Sequence, residues 1–140
     1  MNCSALASAI RRAKRVYIIG NGGSFANAIH ICNDLISCGI RAHTMDVATF
    51  SAFANDYGYY RAFERWIETM GEAGDLLIAL SGSGKSPNIL KAVEAARALG
   101  MEVETIYGAA RGEDMQRAEE AQVEIGHALM RALNDSPPRP

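Results

Sequence analysis

The sequence lacks the features that mark secreted, membrane-spanning or disulfide-rich proteins. Its 140 residues contain three cysteines, and no two of them form a Cys-x-x-Cys pair. An odd number of cysteines without that pair argues against a disulfide framework or a thiolate zinc site and suits a reducing compartment. No apolar run approaches the roughly 18 residues that a membrane span requires. We therefore expect a cytoplasmic protein with no membrane partner.

An excess of charge of one sign is also missing. Fourteen Lys and Arg residues stand against 16 Asp and Glu residues, for a net charge of −2. Such a chain has no overall basic field to attract nucleic acid, so we expect no nucleic-acid partner and look for ligands at local sites.

Proline is scarce, and the prolines at 137, 138 and 140 crowd the end of the chain. Proline cannot join a helix interior or a central strand, so residues 134–140 are predicted to be a frayed tail. The chain is 49% hydrophobic, which fits a single domain over residues 1–140 with a core of its own.

The most informative stretch is the serine- and glycine-rich segment 81–86. It follows an apolar run at 75–80 that predicts a strand, and it precedes a helical period at 89–99. A loop between a strand and a helix presents backbone N–H groups, hydroxyls and the positive end of a helix dipole to one point. The segment therefore predicts a phosphate site formed by Ser81, Gly82, Ser83 and Ser86.

Two other interpretations of this segment remain. A helix cap with a flexible turn is one, although it needs only one Ser and one Gly. A nucleotide-binding P-loop is the other, but it requires glycine at position 79, where the chain has Ala79. No nucleotide cofactor is expected.

A second strand, loop and helix are predicted near the start of the chain. The β-rich run 16–19 leads into Gly20-Asn-Gly-Gly-Ser24, and apolar residues then continue at helical spacing. A dinucleotide fingerprint would need glycine where Phe25 stands, and a plain tight turn remains an alternative. Right-handed crossovers bring both loops to the carboxyl edge of a parallel sheet, where they can converge on one phosphorylated ligand.

The rest of the chain continues this alternation of strands and helices. The pattern predicts a three-layer α/β sandwich of the flavodoxin-like type, with a parallel sheet of four to five strands and helices on both faces. The remaining predicted segments are helix 3–14, strand 42–47, a helical piece at 48–54, a turn cluster at 55–59, a helix with apolar period 63–70, strand 101–107, loop 108–112 and a helix from 113 to about 133.

Taken together, the motifs resemble the sugar isomerase (SIS) domain family, most closely its phosphoheptose isomerases. The resemblance rests on the Gly20–Ser24 segment, on Asn55-Asp-Tyr-Gly58, on the 80–86 segment followed by Asn88, and on Gly126-His-Ala-Leu129. It implies interconversion of sedoheptulose 7-phosphate with D-glycero-D-manno-heptose 7-phosphate, an aldose–ketose isomerisation through an ene-diol.

The resemblance also implies roles for individual residues. His127 stands at the position of the family's catalytic histidine, and Asp34 stands where the family has a catalytic glutamate. Zinc can bind at the same place, and Glu119 stands where the family usually has a glutamine ligand. His30 and Asp34 also lie four residues apart on one helix face, a spacing suited to sharing a metal. The substrate-binding positions implied are Asn21, Gly22, Ser24, Asn55, Asp56, Ser81, Gly82, Ser83 and Ser86, and the metal positions are His30, Asp34, Glu119 and His127.

The chain departs from the family pattern at several places. Position 38 is Cys38 where relatives carry Arg, Gly82 replaces a hydroxyl residue, and the fifth strand that usually precedes the last helix is missing. The resemblance implies a homodimer or homotetramer. The alternative function is a noncatalytic phosphosugar-binding or protein-binding SIS domain, as in the DnaA-initiator-associating relatives.

Overall fold

The computed structural model describes residues 3–107 and 114–134 of the chain. They form a parallel sheet with helices on both of its faces. The strands are β1 Val16–Ile19, β2 Ala42–Thr44, β3 Leu76–Ser81 and β4 Glu102–Tyr107. The helices are α1 Cys3–Arg12, α2 Gly23–Ser37, α3 Val47–Tyr57, α4 Ala62–Met70, α5 Pro87–Ala98 and α6 Met115–Asn134, with a 3₁₀ turn at Tyr59–Arg61.

The sheet has four strands in the order β2-β1-β3-β4, and all its pairings are parallel. Ile19 at the end of β1 pairs with Ala79 near the end of β3. The loops that follow these two central strands therefore leave the same edge of the sheet, as ligand-binding loops of open α/β folds do. The predicted α/β architecture is confirmed, with four strands among the described residues.

Strand β3 shows how the core is divided between the two faces. All six of its residues are buried, which is typical of a parallel strand covered on both sides. Leu76, Ile78 and Leu80 pack into a cluster with α1, α2 and α6, while Leu77 and Ala79 pack into a second cluster with α4 and α5. The first cluster holds α2 and α6 side by side, and these two helices carry the polar residues considered below.

The third helix is longer than the sequence predicted. The Asp46 side chain accepts a hydrogen bond from the Ala48 N–H at 3.0 Å and so caps α3, and β2 accordingly ends at Thr44 rather than at 47. Asn55 and Asp56 lie in the last turn of α3, so their assignment to a turn was wrong. The chain turns two residues after Asp56, at Gly58, whose φ of 91° suits glycine.

The last helix is confirmed as one long helix rather than a strand at 122–125. It begins after Asp114, whose carboxylate accepts hydrogen bonds from the N–H groups of Gln116 and Arg117. Asn134 is the final helical residue, so the predicted tail begins one residue too early. The rest of that tail and the predicted loop 108–112 lie outside the described residues.

The described residues include no helix that is both long and apolar enough for a membrane crossing.

Candidate functional site

A small cavity lies at the carboxyl edge of the sheet, where the loops after β1 and β3 meet. Its volume is about 80 Å³. Helix α2 begins at Gly23 and α5 begins at Pro87, so two helix N-termini, each with a positive dipole end, flank this edge. The cavity is lined by Asn21, Ser24, Leu80, Ser81, Gly82, Ser83, Ser86 and Met115.

The loop hydroxyls are held as hydrogen-bond acceptors by backbone N–H groups. Ser81 Oγ accepts from the Gly84 N–H at 3.0 Å, and Ser83 Oγ accepts from the Lys85 N–H at 3.1 Å. Ser86 occupies the N-cap position of α5 but makes no side-chain capping bond, and its Oγ lies 3.4 Å from Ser81 Oγ. One hydroxyl of the Ser81–Ser86 pair donates to the other, which leaves the O–H of Ser83 and one O–H of that pair able to point at a ligand. The loop therefore suits an anion such as phosphate.

Gly82 allows α6 to reach the cavity. A Cβ atom at this position would collide with Met115 Sδ, and Met115 lines the cavity as the first residue of α6. A larger residue at 82 would therefore require the Met115 side chain to move out of its place at the cavity.

Asn21 is fixed by two side chains from other elements. Its amide pairs reciprocally with that of Asn88 in α5, with both N–H···O distances at 2.8 Å. The Tyr59 hydroxyl donates a further bond of 2.9 Å to Asn21 Oδ1. Asn88 is 1% exposed, and its Oδ1 also accepts from the Ile89 N–H at 3.0 Å. The loop after β1 is thereby tied to the first turn of α5.

Ser24 is fixed from α6 in a similar way. Gln122 is fully buried, and its Nε2 donates to Ser24 Oγ at 3.0 Å. The Asn27 side-chain N–H group donates to Gln122 Oε1 at 2.9 Å and to the Glu119 carbonyl oxygen at 3.0 Å. These bonds join α2 to α6 next to the cavity.

Further along the same pair of helices, three candidate metal-binding or catalytic side chains come together. His30 Nε2 lies 3.1 Å from His127 Nε2 and 3.3 Å from Asp34 Oδ2. One ligand atom from each of the three side chains lies within 4.8 Å of the others. The two histidines are exposed, whereas Asp34 is 8% exposed. The structure thus brings His127 to Asp34 although 93 positions separate them.

The ligand atoms of this cluster fit a metal ion. Asp34 Oδ2 is buried, and no described residue forms a hydrogen bond with it. Its contact with His30 is an ion pair only when the imidazole is protonated. Two imidazole nitrogens and a carboxylate oxygen are ligands that divalent transition metals take in proteins.

Cys38 lies beside this cluster but is poorly suited to join it. Its Sγ contacts Asn134 Oδ1 at 3.4 Å. Burial, together with the negative charge of Asp34, raises the pKa of the Cys38 thiol, so it stays protonated at neutral pH. Metal binding needs the thiolate, which leaves the His30, Asp34 and His127 group as the candidate ligands.

Four of the predicted site residues lie elsewhere. The Glu119 side chain packs over Gly23, and Glu119 is not part of the three-residue cluster. Asn55 and Asp56 are exposed, and they bond to each other at 3.1 Å rather than lining the cavity. Gly22 is exposed at the N-cap of α2, where its φ of 55° suits glycine. The cause is packing, since helix rotation and loop path decide which side chains meet.

Sequence reasoning gave no role to Tyr59, Asn88, Asn27, Gln122 or Met115. A signal was present for Gln122, because it lies at helical spacing from the apolar residues Ala118, Ile125 and Leu129, and polar residues at such positions usually have a partner. For Tyr59 and Met115 the sequence carries no comparable signal, since both are exposed and their contacts lie far away along the chain.

Comparison with known proteins agrees with this architecture. A family model described as "SIS domain" matches residues 3–108. The phosphoheptose isomerase of Klebsiella pneumoniae is 37% identical over 129 residues, which are 87% of this chain and 66% of that protein. The phosphoheptose isomerase of Campylobacter concisus is 31% identical over 96% of this chain and 82% of its own length. A solved phosphoheptose isomerase from Francisella tularensis is 27% identical, with a TM-score of 0.85, over 96% of this chain and 85% of that chain.

The family match covers most of the chain, and the similarity to the Campylobacter protein extends over most of both sequences. The chain spans just under two thirds of the length of the Klebsiella relative. Sequence, fold and the serine-rich cavity at the carboxyl edge therefore agree, and the chain belongs to the SIS domain family.

Proposed function

We propose that this protein is an aldose–ketose isomerase acting on a phosphorylated sugar, with sedoheptulose 7-phosphate as its ketose substrate. The observation that carries the proposal is the convergence of His30, Asp34 and His127 on helices α2 and α6. The same two helices also contribute lining residues to the anion cavity. The named relatives are phosphoheptose isomerases, which supports the choice of sugar.

The spacing of the two parts supports the proposal. Ser24 of the cavity and His30 of the cluster are six residues apart in α2, which corresponds to about 9 Å along the helix axis. A sugar with its phosphate in the cavity would extend along α2 toward the cluster. That arrangement suits a substrate whose phosphate and reacting carbons are at opposite ends.

The cluster supplies the groups that the reaction needs. Isomerisation moves a proton between two adjacent carbons through an ene-diol, so one group must take the proton and another must exchange protons with the oxygens. We assign proton abstraction to Asp34, whose Oδ2 has no hydrogen bond to any described residue. His127 would donate a proton to the carbonyl oxygen and take one from the neighbouring hydroxyl oxygen, while Asp34 would return its proton to the former carbonyl carbon.

We further propose zinc as the metal that His30, Asp34 and His127 would hold. When bound, zinc would polarise the sugar oxygens as a Lewis acid. With zinc bound, the histidines would serve as neutral ligands and Asp34 would contribute the negative charge. The proton transfers assigned to Asp34 and His127 above belong to the metal-free site.

Incubation of the full chain with sedoheptulose 7-phosphate tests the activity. We expect a new aldose phosphate to be detected by NMR, and loss of turnover in His127→Ala. Saturable binding without turnover in the unmodified protein would instead establish the noncatalytic alternative.

The anion cavity has its own test in Ser83→Asp. A fixed carboxylate in the loop should repel the phosphate, so we expect the dissociation constant for sugar phosphate to rise by at least about tenfold. Ser51→Asp, at an exposed position of α3, is the matched control and should bind normally. Equal binding by both variants would contradict the assignment of this cavity to phosphate.

The homodimer or homotetramer stays a prediction, as does the cytoplasmic location. Light scattering of the purified chain would measure the assembly directly.

A further inference from the structure

Hydrogen bonds among the side chains behind the cavity wall determine which wall atoms donate hydrogen bonds and which accept them. Asn88 Oδ1 accepts the Ile89 N–H, so the amide oxygen of Asn88 must face the backbone. Its nitrogen therefore donates to Asn21 Oδ1, which also accepts from the Tyr59 hydroxyl. Both lone pairs of Asn21 Oδ1 are thus occupied, and one proton of Asn21 Nδ2 goes to Asn88.

The second Nδ2 proton of Asn21 has no acceptor among residues 3–107 and 114–134, and Asn21 lines the cavity. Asn21 can therefore only donate to a molecule bound there. An asparagine held by only one weak hydrogen bond could rotate its amide group by 180° and present its oxygen as an acceptor instead.

Ser24 is oriented by a separate set of hydrogen bonds. Asn27 donates to the Glu119 carbonyl oxygen, which can only accept, and this fixes the nitrogen of Asn27 on the side of Gln122. The oxygen of Gln122 then faces Asn27, and its nitrogen donates to Ser24 Oγ. With its oxygen engaged, the Ser24 hydroxyl is available as a donor.

We propose that the side chains behind the wall are positioning residues that make Asn21 an obligate hydrogen-bond donor and orient Ser24 to donate to a bound oxyanion. The positioning residues are Tyr59, Asn88 and Gln122. Ser81 and Ser83 of the second loop likewise accept backbone N–H groups, so their hydroxyls can also be directed at a ligand, and the cavity favours an oxyanion. This inference rests on the anion site of the proposed function but not on the isomerase chemistry.

The inference is tested first without any substitution. In ¹⁵N-labelled protein titrated with inorganic phosphate at pH 8, we expect one side-chain N–H proton of Asn21 to move downfield and its partner proton to stay nearly still. Sulfate, which carries no proton, should produce the same shift with a dissociation constant within about threefold. Asn21 signals that do not respond at phosphate saturation would overturn the proposal.

Tyr59→Phe tests the contribution of a single positioning residue. The ring that packs against Phe50 at 5.7 Å is kept, and only the hydroxyl that donates to Asn21 is lost. We expect the dissociation constant for phosphate to rise by about threefold to tenfold, which is about the effect of one hydrogen bond. Tyr60→Phe removes the hydroxyl of the neighbouring exposed tyrosine and should match the unmodified protein.

Kinetics separate positioning from a merely structural role. For sedoheptulose 7-phosphate, Tyr59→Phe should raise KM by the same factor and leave kcat within about twofold, with an unchanged melting temperature. Unchanged phosphate binding in Tyr59→Phe would overturn the inference even if the protein is an isomerase. Absent turnover with the Asn21 shift intact would remove the isomerase proposal and leave this inference standing.

Discussion

Asp34 is the buried member of the candidate metal cluster, whereas its two histidines are exposed. Its side chain is one methylene shorter than the glutamate that the resemblance implies at this position. The carboxylate is nevertheless within 3.3 Å of His30, because the two residues lie four positions apart on one face of α2. On the same face, the carboxylate also comes within reach of His127 of α6.

Removal of the Asp34 charge should reveal the metal site. We expect Asp34→Asn to weaken zinc binding by at least about tenfold. Mutation of residues that only hydrogen-bond to metal ligands typically lowers metal affinity by that much, and loss of a ligand should cost at least as much. Isothermal titration calorimetry with zinc chloride measures the effect. Glu94→Gln, at an exposed position of α5 on the other face of the sheet, is the control for lost charge. Zinc binding that is equal in both variants would contradict the assignment of Asp34 as a ligand.

At the scale of elements, the contact between α2 and α6 determines whether the cluster exists. Ser24, Asn27 and Asp34 approach α6 from one side, and Gln122 and His127 approach α2 from the other. These residues come from opposite ends of the sequence, so no local propensity brings them together. The packing of two helices does so.

Gly126 allows this close packing. A Cβ atom here would meet Ile31 Cγ1 of α2 at 2.8 Å, closer than side chains tolerate. Alanine normally favours a helix over glycine by about 1 kcal/mol. We nevertheless expect Gly126→Ala to reduce the free energy of unfolding by about 1–3 kcal/mol, as overpacked sites do, and to weaken zinc binding because His127 moves.

Chemical denaturation and zinc titration together check this prediction. Glu124→Ala changes an exposed position of the same helix and should leave both measurements nearly unchanged. If the Gly126→Ala protein were more stable than the unmodified one, α2 and α6 would be able to move apart without a loss of free energy of unfolding, which would contradict the prediction.

At the scale of the whole molecule, the buried sheet determines stability. Ile78 lies at the centre of β3 with no exposed surface, whereas Leu90 of α5 is 39% exposed. We expect Ile78→Ala to lower the free energy of unfolding by about 2–5 kcal/mol and Leu90→Ala to lower it by less than about 1 kcal/mol. Urea unfolding followed by circular dichroism measures both. Similar losses in the two variants would contradict the assignment of β3 to the core.

Most of the fold could be predicted from the sequence because its signals are local. The apolar runs before Gly20 and Ser81 and the helical periods after them depend only on neighbouring residues, and the anion loop follows from the same pattern. The end of α3 was missed because Asn55 and Asp56 are typical turn residues, yet the helix continues through them.

The sequence by itself determined the strand–loop–helix units, their order and the two loops that meet at one edge of the sheet. Only the tertiary structure decided which polar side chains meet. It brings His127 to Asp34, leaves Glu119 over Gly23, and orients Asn21 through Tyr59 and Asn88. The reason is physical, since contacts between distant residues depend on helix rotation and packing distance, which no short stretch of sequence encodes.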